Sequence, residues 1–269
     1  MRRFNSLSKN LAYTAYRIVT PILDPIDTMK GIIRYPGYVK DFIQYAHRDH
    51  SVHIHLRDIF PILRDKTSLT PFDAHYYFQT IWFLRKIMLQ KPTRHVDIGS
   101  AYQVSGILSL MMKSEFVDIR PIDTKLKNLK IVRGDILHLP YSDNSIPSLS
   151  SLHVVEHIGL GRYGDTLDPD GSKKAIKELI RVVRPNGYIY LSLPIGSYRI
   201  CFNAHRIHTP EMIIHQFAGC NLIEFSVVDD EGNLHEKADL RKYRRLHYGC
   251  GLFIFRKSPK MKITAALHI

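Results

Sequence analysis

Cysteine is scarce in this 269-residue chain, and its three cysteines, Cys201, Cys220 and Cys250, lie far apart. An odd number of widely spaced cysteines is not a disulfide framework, so we expect small packing residues in a reducing compartment. Long apolar runs are also missing. A membrane-spanning helix needs about 18–20 apolar residues, and Arg17 interrupts the longest N-terminal candidate, residues 11–23. The N-terminus has no secretory pattern. These absences predict a cytoplasmic protein.

Acidic residues are few relative to basic ones: 25 Asp and Glu stand against 38 Lys and Arg, a formal net charge of +13. This balance favours an anionic partner, which is nucleic acid, an acidic lipid surface, or a phosphorylated or acidic substrate. A basic surface that is merely solvated explains the charge equally well. The length suits one domain with an appendage.

Residues 1–91 lack the pattern of short apolar runs punctuated by glycine that marks strands, so we predict a mostly helical region there. Its best-defined helix spans residues 73–90, where apolar side chains repeat at helical spacing until Pro92 stops it. A second helical face near the N-terminus combines apolar residues between 7 and 23 with Arg2, Arg3, Lys9 and Arg17.

From residue 93 onward, short apolar strands alternate with helices. Strands are predicted at 94–98, 115–118, 129–133, 148–153, 187–193, 221–228 and 250–256, and helices at 103–112, 172–183 and 210–218. Such alternation is typical of an α/β protein with a mostly parallel sheet. Residues 92–269 are therefore predicted to form one domain, preceded by the helical region 1–91.

Aspartates stand beside glycine or at strand ends throughout this domain. They occur in Asp97-Ile98-Gly99-Ser100, in Glu115-Phe116-Val117-Asp118 and in Gly134-Asp135-Ile136. Open α/β sheets bind ligands at the carboxyl ends of their strands, near the switch in strand order, and glycine lets the backbone approach a ligand. An isolated aspartate is more often a turn former or helix cap. In this order, however, the three motifs predict a nucleotide-cofactor site.

Two further motifs complete the pattern: Val154-Val155-Glu156-His157-Ile158 after the fourth strand, and Arg184-Pro185-Asn186-Gly187 before the fifth. Together with the aspartate motifs they resemble the class I S-adenosylmethionine (SAM)-dependent methyltransferases. The likeness is closest to a methyltransferase-like family of unassigned function. It covers roughly Pro92 to Pro194 well and the C-terminal third in outline. It implies a Rossmann-like fold with seven strands, the last of them antiparallel.

The resemblance also implies roles for the residues at the strand ends. Asp97, with Gly99 and Ser100, would hold the amino end of SAM. Asp118 would bind the two ribose hydroxyls, because a carboxylate accepts from both. Asp135 and Ile136 would lie beside the adenine. Two positions depart from the family's glycine loop: Ala101 replaces the second glycine, a mild change, and Gln103 stands where a third glycine is usual. These departures keep open the alternative that the fold has lost SAM and serves as a non-catalytic binding module.

Four residues after the fourth and fifth strands are candidates for catalysis. Transfer to a hydroxyl needs a positioned acceptor and a group that removes a proton, and histidine is the usual base near neutral pH. His205 and His157 are the candidate bases, with Glu156 and Tyr163 next. For His157, packing or helix capping is the alternative. Nearby Arg206 would bind an anionic acceptor group or pair with a carboxylate.

The sequence thus predicts an enzyme that transfers a methyl group to a small hydroxylated acceptor. A sugar or glycan precursor is suggested by family association alone, and an anionic acceptor by charge. The alternatives are a non-catalytic module or an RNA methyltransferase. The last of these is supported only by basic residues at 237–245 and elsewhere.

Two N-terminal features carry separate hypotheses. The basic, apolar face of residues 7–23 predicts peripheral contact with an anionic membrane, or packing on the core as the alternative. His47, His50, His53 and His55 are dense enough for a metal site. With no nearby cysteine, a histidine-rich surface is favoured, and we assign no metal ligand.

Overall fold

The structure is a computed structural model that describes residues 6–20, 23–48, 54 and 59–259. It divides into two compact units, Met1–Pro71 and Phe72–Ile269. This boundary lies earlier in the chain than the predicted one, which follows residue 91. The helix predicted at residues 73–90 belongs to the second unit, because its apolar face packs on the sheet of that unit.

Among its described residues the first unit contains two helices, α1 (Ser6–Val19) and α2 (Pro25–Arg48). Asp24 starts α2, since its carboxylate accepts from the backbone N–H groups of Ile26 and Asp27 at 3.0 Å each, and proline is well tolerated in a first turn. Within the described part of the chain, neither these helices nor any other is long and apolar enough to cross a membrane.

The second unit carries the remaining elements. Its helices are α3 (Ala74–Gln90), α4 (Tyr102–Met111), α5 (Gly171–Val182) and α6 (Pro210–Gln216). Its strands are β1 (Arg94–Ile98), β2 (Lys113–Asp118), β3 (Leu129–Arg133), β4 (Ile146–Leu152), β5 (Val183–Ile195), β6 (Arg199–Cys201), β7 (His205–Ile207), β8 (Cys220–Val228), β9 (Leu234–His235) and β10 (Gly249–Lys257).

Eight strands form the main sheet, in the order β3-β2-β1-β4-β5-β10-β8-β9. The first five are parallel, and β10 runs antiparallel to both β5 and β8. The predicted α/β fold, mostly parallel with an antiparallel last strand, is confirmed. The two-residue strand β9 is added at the edge to the seven predicted strands.

Helices cover both faces of this sheet. On one face Trp82 and Phe83 of α3 and Leu108 of α4 pack against β4, β5, β8 and β10. On the other, Ile176 of α5 and Phe217 at the end of α6 join the second core cluster. Fully burying a large apolar side chain contributes about 1.5–3 kcal/mol, so these layers hold the carboxyl ends of β1 to β5 at one edge.

Candidate functional site

A cleft lies at that edge, where the chain leaves β1 on one side for β2 and returns on the other side as β4. It has two lobes of about 280 and 520 Å³, within the size range of ligand sites. The first lobe is lined by residues such as Asp135, Ile136 and His157. The second is lined by Ser100 and Gln103, among others. Both lobes share Gly99, Asp118, Arg120, His153 and Tyr163.

Gly99 turns the chain at the end of β1. Its φ of +66° is a conformation that residues with a side chain rarely adopt, and a Cβ there would lie 3.1 Å from a methyl carbon of Val154. Its N–H donates to the carbonyl of Val117 at 2.8 Å. Backbone therefore lines this wall of the cleft.

Asp97 is fully buried behind this turn and is not part of the cleft wall. Its Oδ1 accepts from the hydroxyls of Ser100, at 2.6 Å, and of Ser150. Ser100 Oγ in turn accepts from the N–H of Leu152 at 3.0 Å. Asp97 Oδ2 has no hydrogen-bond partner among the described residues. The Asp97 carboxylate thus ties the ends of β1 and β4 together, and it reaches the cleft only through Ser100.

A buried histidine continues this network. His95 lies between two serines, with Nδ1 2.8 Å from Ser148 Oγ and Nε2 2.9 Å from Ser150 Oγ. Burial lowers the pKa of His95 to about 3, so the ring is neutral. Burial raises the pKa of Asp97 to about 6, although its bonds from Ser100 and Ser150 act in the opposite direction.

Replacing Asp97 by asparagine should therefore remove a pH dependence of stability. Because the pKa of Asp97 is raised from 3.8 to about 6 on folding, its contribution is complete below pH 3.8 and is lost as the pH rises through about 6. That difference corresponds to about 3 kcal/mol. We expect the free energy of unfolding of the wild type to fall by this order, relative to Asp97→Asn, between about pH 4 and pH 7. Denaturant titrations across this range measure it, and parallel pH profiles for the two proteins would contradict it.

Asp118 at the end of β2 lines both lobes. Its Oδ1 accepts from the N–H of Arg120 at 2.6 Å, which fixes the carboxylate in a turn. Its other oxygen has no hydrogen bond to any described residue. Asp135 forms a similar turn with the N–H of Leu137 at 2.9 Å, and Ile136 is buried. The structure thus brings Gly99, Asp118, Asp135 and Ile136 around the first lobe.

His153 follows β4 and lines both lobes. It is one of the residues after the fourth strand that would face the methyl group in the resembled fold, but it is not among the predicted catalytic residues. Its Nδ1 lies 2.8 Å from Glu156 Oε1, and its Nε2 lies 3.3 Å from Cys250 Sγ on β10. Its φ of +55° is unusual for a residue with a side chain. Burial opposes protonation of His153, but Cys250 and Glu156 outweigh it and raise the His153 pKa.

Glu156 is fully buried beneath the cleft, and its Oε2 has no hydrogen-bond partner among the described residues. Burial alone would raise the Glu156 pKa, but His153 and His157 lower it, so the group is a carboxylate. A buried carboxylate is stable only beside a cation or donors. Glu156 therefore holds His153 in place and does not face the lobes.

His157 lines the first lobe and is 7% exposed. Its Nδ1 lies 2.5 Å from the carbonyl oxygen of Ala204. This contact requires a proton on Nδ1, so in the neutral ring Nε2 carries the lone pair. Nε2 lies 3.7 Å from Glu156 Oε1. Burial lowers the His157 pKa, so the ring is neutral at physiological pH.

The other two catalytic candidates, His205 and Tyr163, both have rings near that of His157. The ring of His205, on β7, is 6.5 Å from that of His157 and 5.2 Å from that of Tyr248, and His205 is not among the residues that line the two lobes. Tyr163 lines both lobes. The guanidinium carbons of Arg120 and Arg162 lie 4.4 and 5.2 Å from the centre of its ring.

Arg206 is buried and stabilises the loop that carries Tyr163. Its guanidinium donates to the carbonyls of Ile158 at 2.5 Å and Asp168 at 3.0 Å. It is thus neither paired with a carboxylate nor exposed to an acceptor. Asp165 holds the same loop, since its Oδ2 accepts from the N–H of Gly159 at 2.6 Å.

Metal binding finds no support in the described residues, where no three His, Cys, Asp or Glu side chains come together in a way that could hold a metal ion. His47 ends α2. His50, His53 and His55 lie outside the described residues, so the role of this cluster stays open.

Comparisons with known proteins agree with this geometry. Residues 134–249 match a family model described as Caenorhabditis protein of unknown function, DUF268. A putative sarcosine dimethylglycine methyltransferase from Galdieria sulphuraria superposes with a TM-score of 0.51 and 15% identity, covering 68% of this chain and 86% of that one. The N-methyltransferase NodS from Bradyrhizobium japonicum WM9 gives 0.50 and 14%, covering 70% and 98%. This chain has the class I methyltransferase fold. No curated protein matches it.

Proposed function

We propose that the protein is a SAM-dependent methyltransferase that acts on a small hydroxylated acceptor. The observation that carries this proposal is the carboxylate of Asp118. A turn holds it at the end of β2, beside the switch point, and one of its two oxygens accepts no hydrogen bond from any described residue. A carboxylate at this position suits two adjacent ribose hydroxyls.

The other residues around the first lobe fit the rest of the cofactor. Ile136 offers an apolar surface for the adenine, and the carboxylate of Asp135 lies beside it. Backbone at Gly99 allows close approach. Asp97 would act indirectly, by holding Ser100 and the turn through a 2.6 Å bond. When bound, SAM supplies an activated methyl group.

On the acceptor side, His157 is our candidate for the base. Its Nδ1–H is held by Ala204, which leaves Nε2 to take a proton from a hydroxyl group. The buried carboxylate of Glu156, 3.7 Å from Nε2, would stabilise the imidazolium that results. Tyr163 would form part of the acceptor wall.

The acceptor is proposed to carry a negative charge. Arg120 lines both lobes beside the ring of Tyr163, and guanidinium groups suit carboxylate or phosphate recognition. A sugar or glycan precursor would meet this requirement when phosphorylated or acidic. That assignment still rests on the family resemblance.

The non-catalytic module is the second candidate function. It is favoured by the burial of Asp97, which keeps a carboxylate away from the amino end of SAM, and by Gln103 in the wall of the second lobe. RNA methylation is supported by charge alone, so we do not carry it further.

Calorimetric titration of the full-length protein with SAM separates the two candidates. The proposed enzyme should bind SAM and its product S-adenosylhomocysteine with saturable heat, whereas adenosine, which lacks the amino-acid part, should bind more weakly. Absence of saturable binding for both SAM and S-adenosylhomocysteine would overturn the enzyme proposal and leave the binding module.

A further inference from the structure

Helix α2 of the first unit exposes a continuous apolar face. Successive residues advance about 100° around a helix, which places six apolar side chains on one half of α2: Ile26, Met29, Ile32, Ile33, Val39 and Ile43. Their exposed fractions run from 40% at Val39 to 71% at Ile33, and α2 buries no residue. We call these six residues the α2 face.

The other half of α2 is where residues 59–67 pack. Arg34 Nη1 donates to the carbonyl of Leu63 at 2.9 Å. Arg64 pairs with Asp27 at 3.1 Å. A Cβ added to Gly31 would lie 3.8 Å from Leu63 Cδ1. The α2 face is therefore not the side by which the helix packs within its own unit.

Charge along α2 is uneven. Its two acidic residues are both paired, Asp27 with Arg64 and Asp41 with Lys66 at 3.4 Å. Lys30, Lys40 and Arg48 form no ion pair with any described residue. By helical position Lys30 borders the α2 face and Lys40 lies within it. Long basic side chains can extend from such positions toward phosphate groups while their methylenes cover apolar surface.

We propose that the α2 face docks on an anionic lipid bilayer, with the helix lying in the plane of the surface. The α2 face has Lys30 at its border and Lys40 within it, and an apolar face combined with basic residues is the pattern of interfacial helices. Basic residues near acidic lipid add electrostatic attraction. At 24 residues α2 is about 36 Å long, but it is not apolar enough to cross a membrane. A second copy of the chain is a poorer occupant, because two cationic borders would face each other.

This inference goes beyond methyl transfer and extends the predicted membrane contact from residues 7–23 to α2. In the earlier segment Ile18 and Leu23 are exposed. Leu7 and Leu11 have no described side chains, and Arg2, Arg3 and Ile22 lie outside the described residues.

Vesicle co-sedimentation of the full-length protein tests the proposal. The wild type should pellet with vesicles of phosphatidylcholine and phosphatidylserine in equal parts, and not with phosphatidylcholine alone. Ile33→Asp should weaken binding at least tenfold, because it places a charge in the α2 face. Leu110→Asp is the matched control, since Leu110 is 84% exposed on α4 of the second unit, and it should bind like the wild type.

A charge variant keeps the test decisive if Ile33→Asp misfolds by circular dichroism. Lys30→Glu combined with Lys40→Glu should also weaken binding at least tenfold, and salt should weaken binding of the wild type, because the Debye length falls from about 10 Å at 0.1 M to about 3 Å at 1 M. Binding by a folded Ile33→Asp variant equal to that of the wild type would overturn the proposal. A wild-type dimer that Ile33→Asp dissociates, without vesicle binding by either protein, would assign the α2 face to a second copy instead.

Discussion

Replacing Asp118 by alanine is expected to weaken SAM binding at least tenfold. The carboxylate would accept from both ribose hydroxyls, and each hydrogen bond to a charged group is worth about 1.5–3 kcal/mol. Loss of even one such bond corresponds to about a factor of ten. Asp118 lies at the rim of the sheet and not in its core, so the fold should survive. Calorimetric titration with SAM measures the affinity, and thermal unfolding checks the fold.

Two further variants control this experiment. Asp118→Asn keeps an oxygen for the N–H of Arg120, which lies 2.6 Å from Oδ1 in the wild type, and removes only the charge, so its affinity should lie between those of wild type and Asp118→Ala. Asp143→Ala removes an exposed carboxylate paired with Arg181 before the amino end of β4, away from the cleft, and should bind SAM like the wild type. Equal affinities for wild type and Asp118→Ala would show that the end of β2 does not hold the ribose.

Much of the second unit follows from local sequence pattern. In the strands, apolar residues recur at alternate positions, as Val96 and Ile98 do in β1 and Leu191 and Leu193 in β5, which is the spacing that predicts a strand. Parallel order then brings the carboxyl ends of β1 to β5 to one edge. Asp118 and Asp135, which follow successive strands, therefore line one cleft. This can be predicted without knowing any contact between residues far apart in the sequence.

The orientation of individual side chains does not follow from that pattern. Asp97 was expected to face a ligand, but Ser150, more than fifty positions later, shares the oxygen that Ser100 binds and draws the carboxylate into the sheet. His153 gains its neighbour Cys250 only because β10 inserts between β5 and β8. Such contacts depend on strand order and not on spacing.

Short or irregular elements also cannot be predicted from the sequence patterns. The hairpin of β6 and β7 consists of three-residue strands, too brief for an alternating pattern to be visible. β5 begins at Val183, four residues before the predicted start at 187, because pairing with β4 continues past an irregularity between Ile146 and Ser148. In α2, Pro36 lies inside a 24-residue helix, although proline normally argues against a helix interior.

The largest effect on turnover is expected from His157→Asn. Asparagine can still donate to the carbonyl of Ala204, the bond that Nδ1 makes at 2.5 Å, but it has no atom in the place of Nε2. Loss of a histidine base costs roughly 10²–10⁴-fold in rate. We expect kcat to fall by that order, and SAM affinity to stay within about threefold of that of the wild type. Turnover is measured as methyl transfer from SAM to a panel of neutral and phosphorylated sugars.

His205→Ala is the matched comparison, because the sequence analysis ranks His205 first whereas its ring lies 6.5 Å from that of His157 and off the cleft wall. It should retain kcat within about tenfold, a smaller loss than removal of a base produces.

Burial lowers the His157 pKa from 6.5. The wild-type rate should therefore be constant near neutral pH and fall only below pH 6.5, as the imidazole becomes protonated. Added imidazole should restore part of the rate of His157→Asn, which a purely structural role would not allow. If His205→Ala loses the larger factor and His157→Asn does not, the proton is removed at β7, and the contact between His157 and Ala204 serves only to hold the loop between β6 and β7.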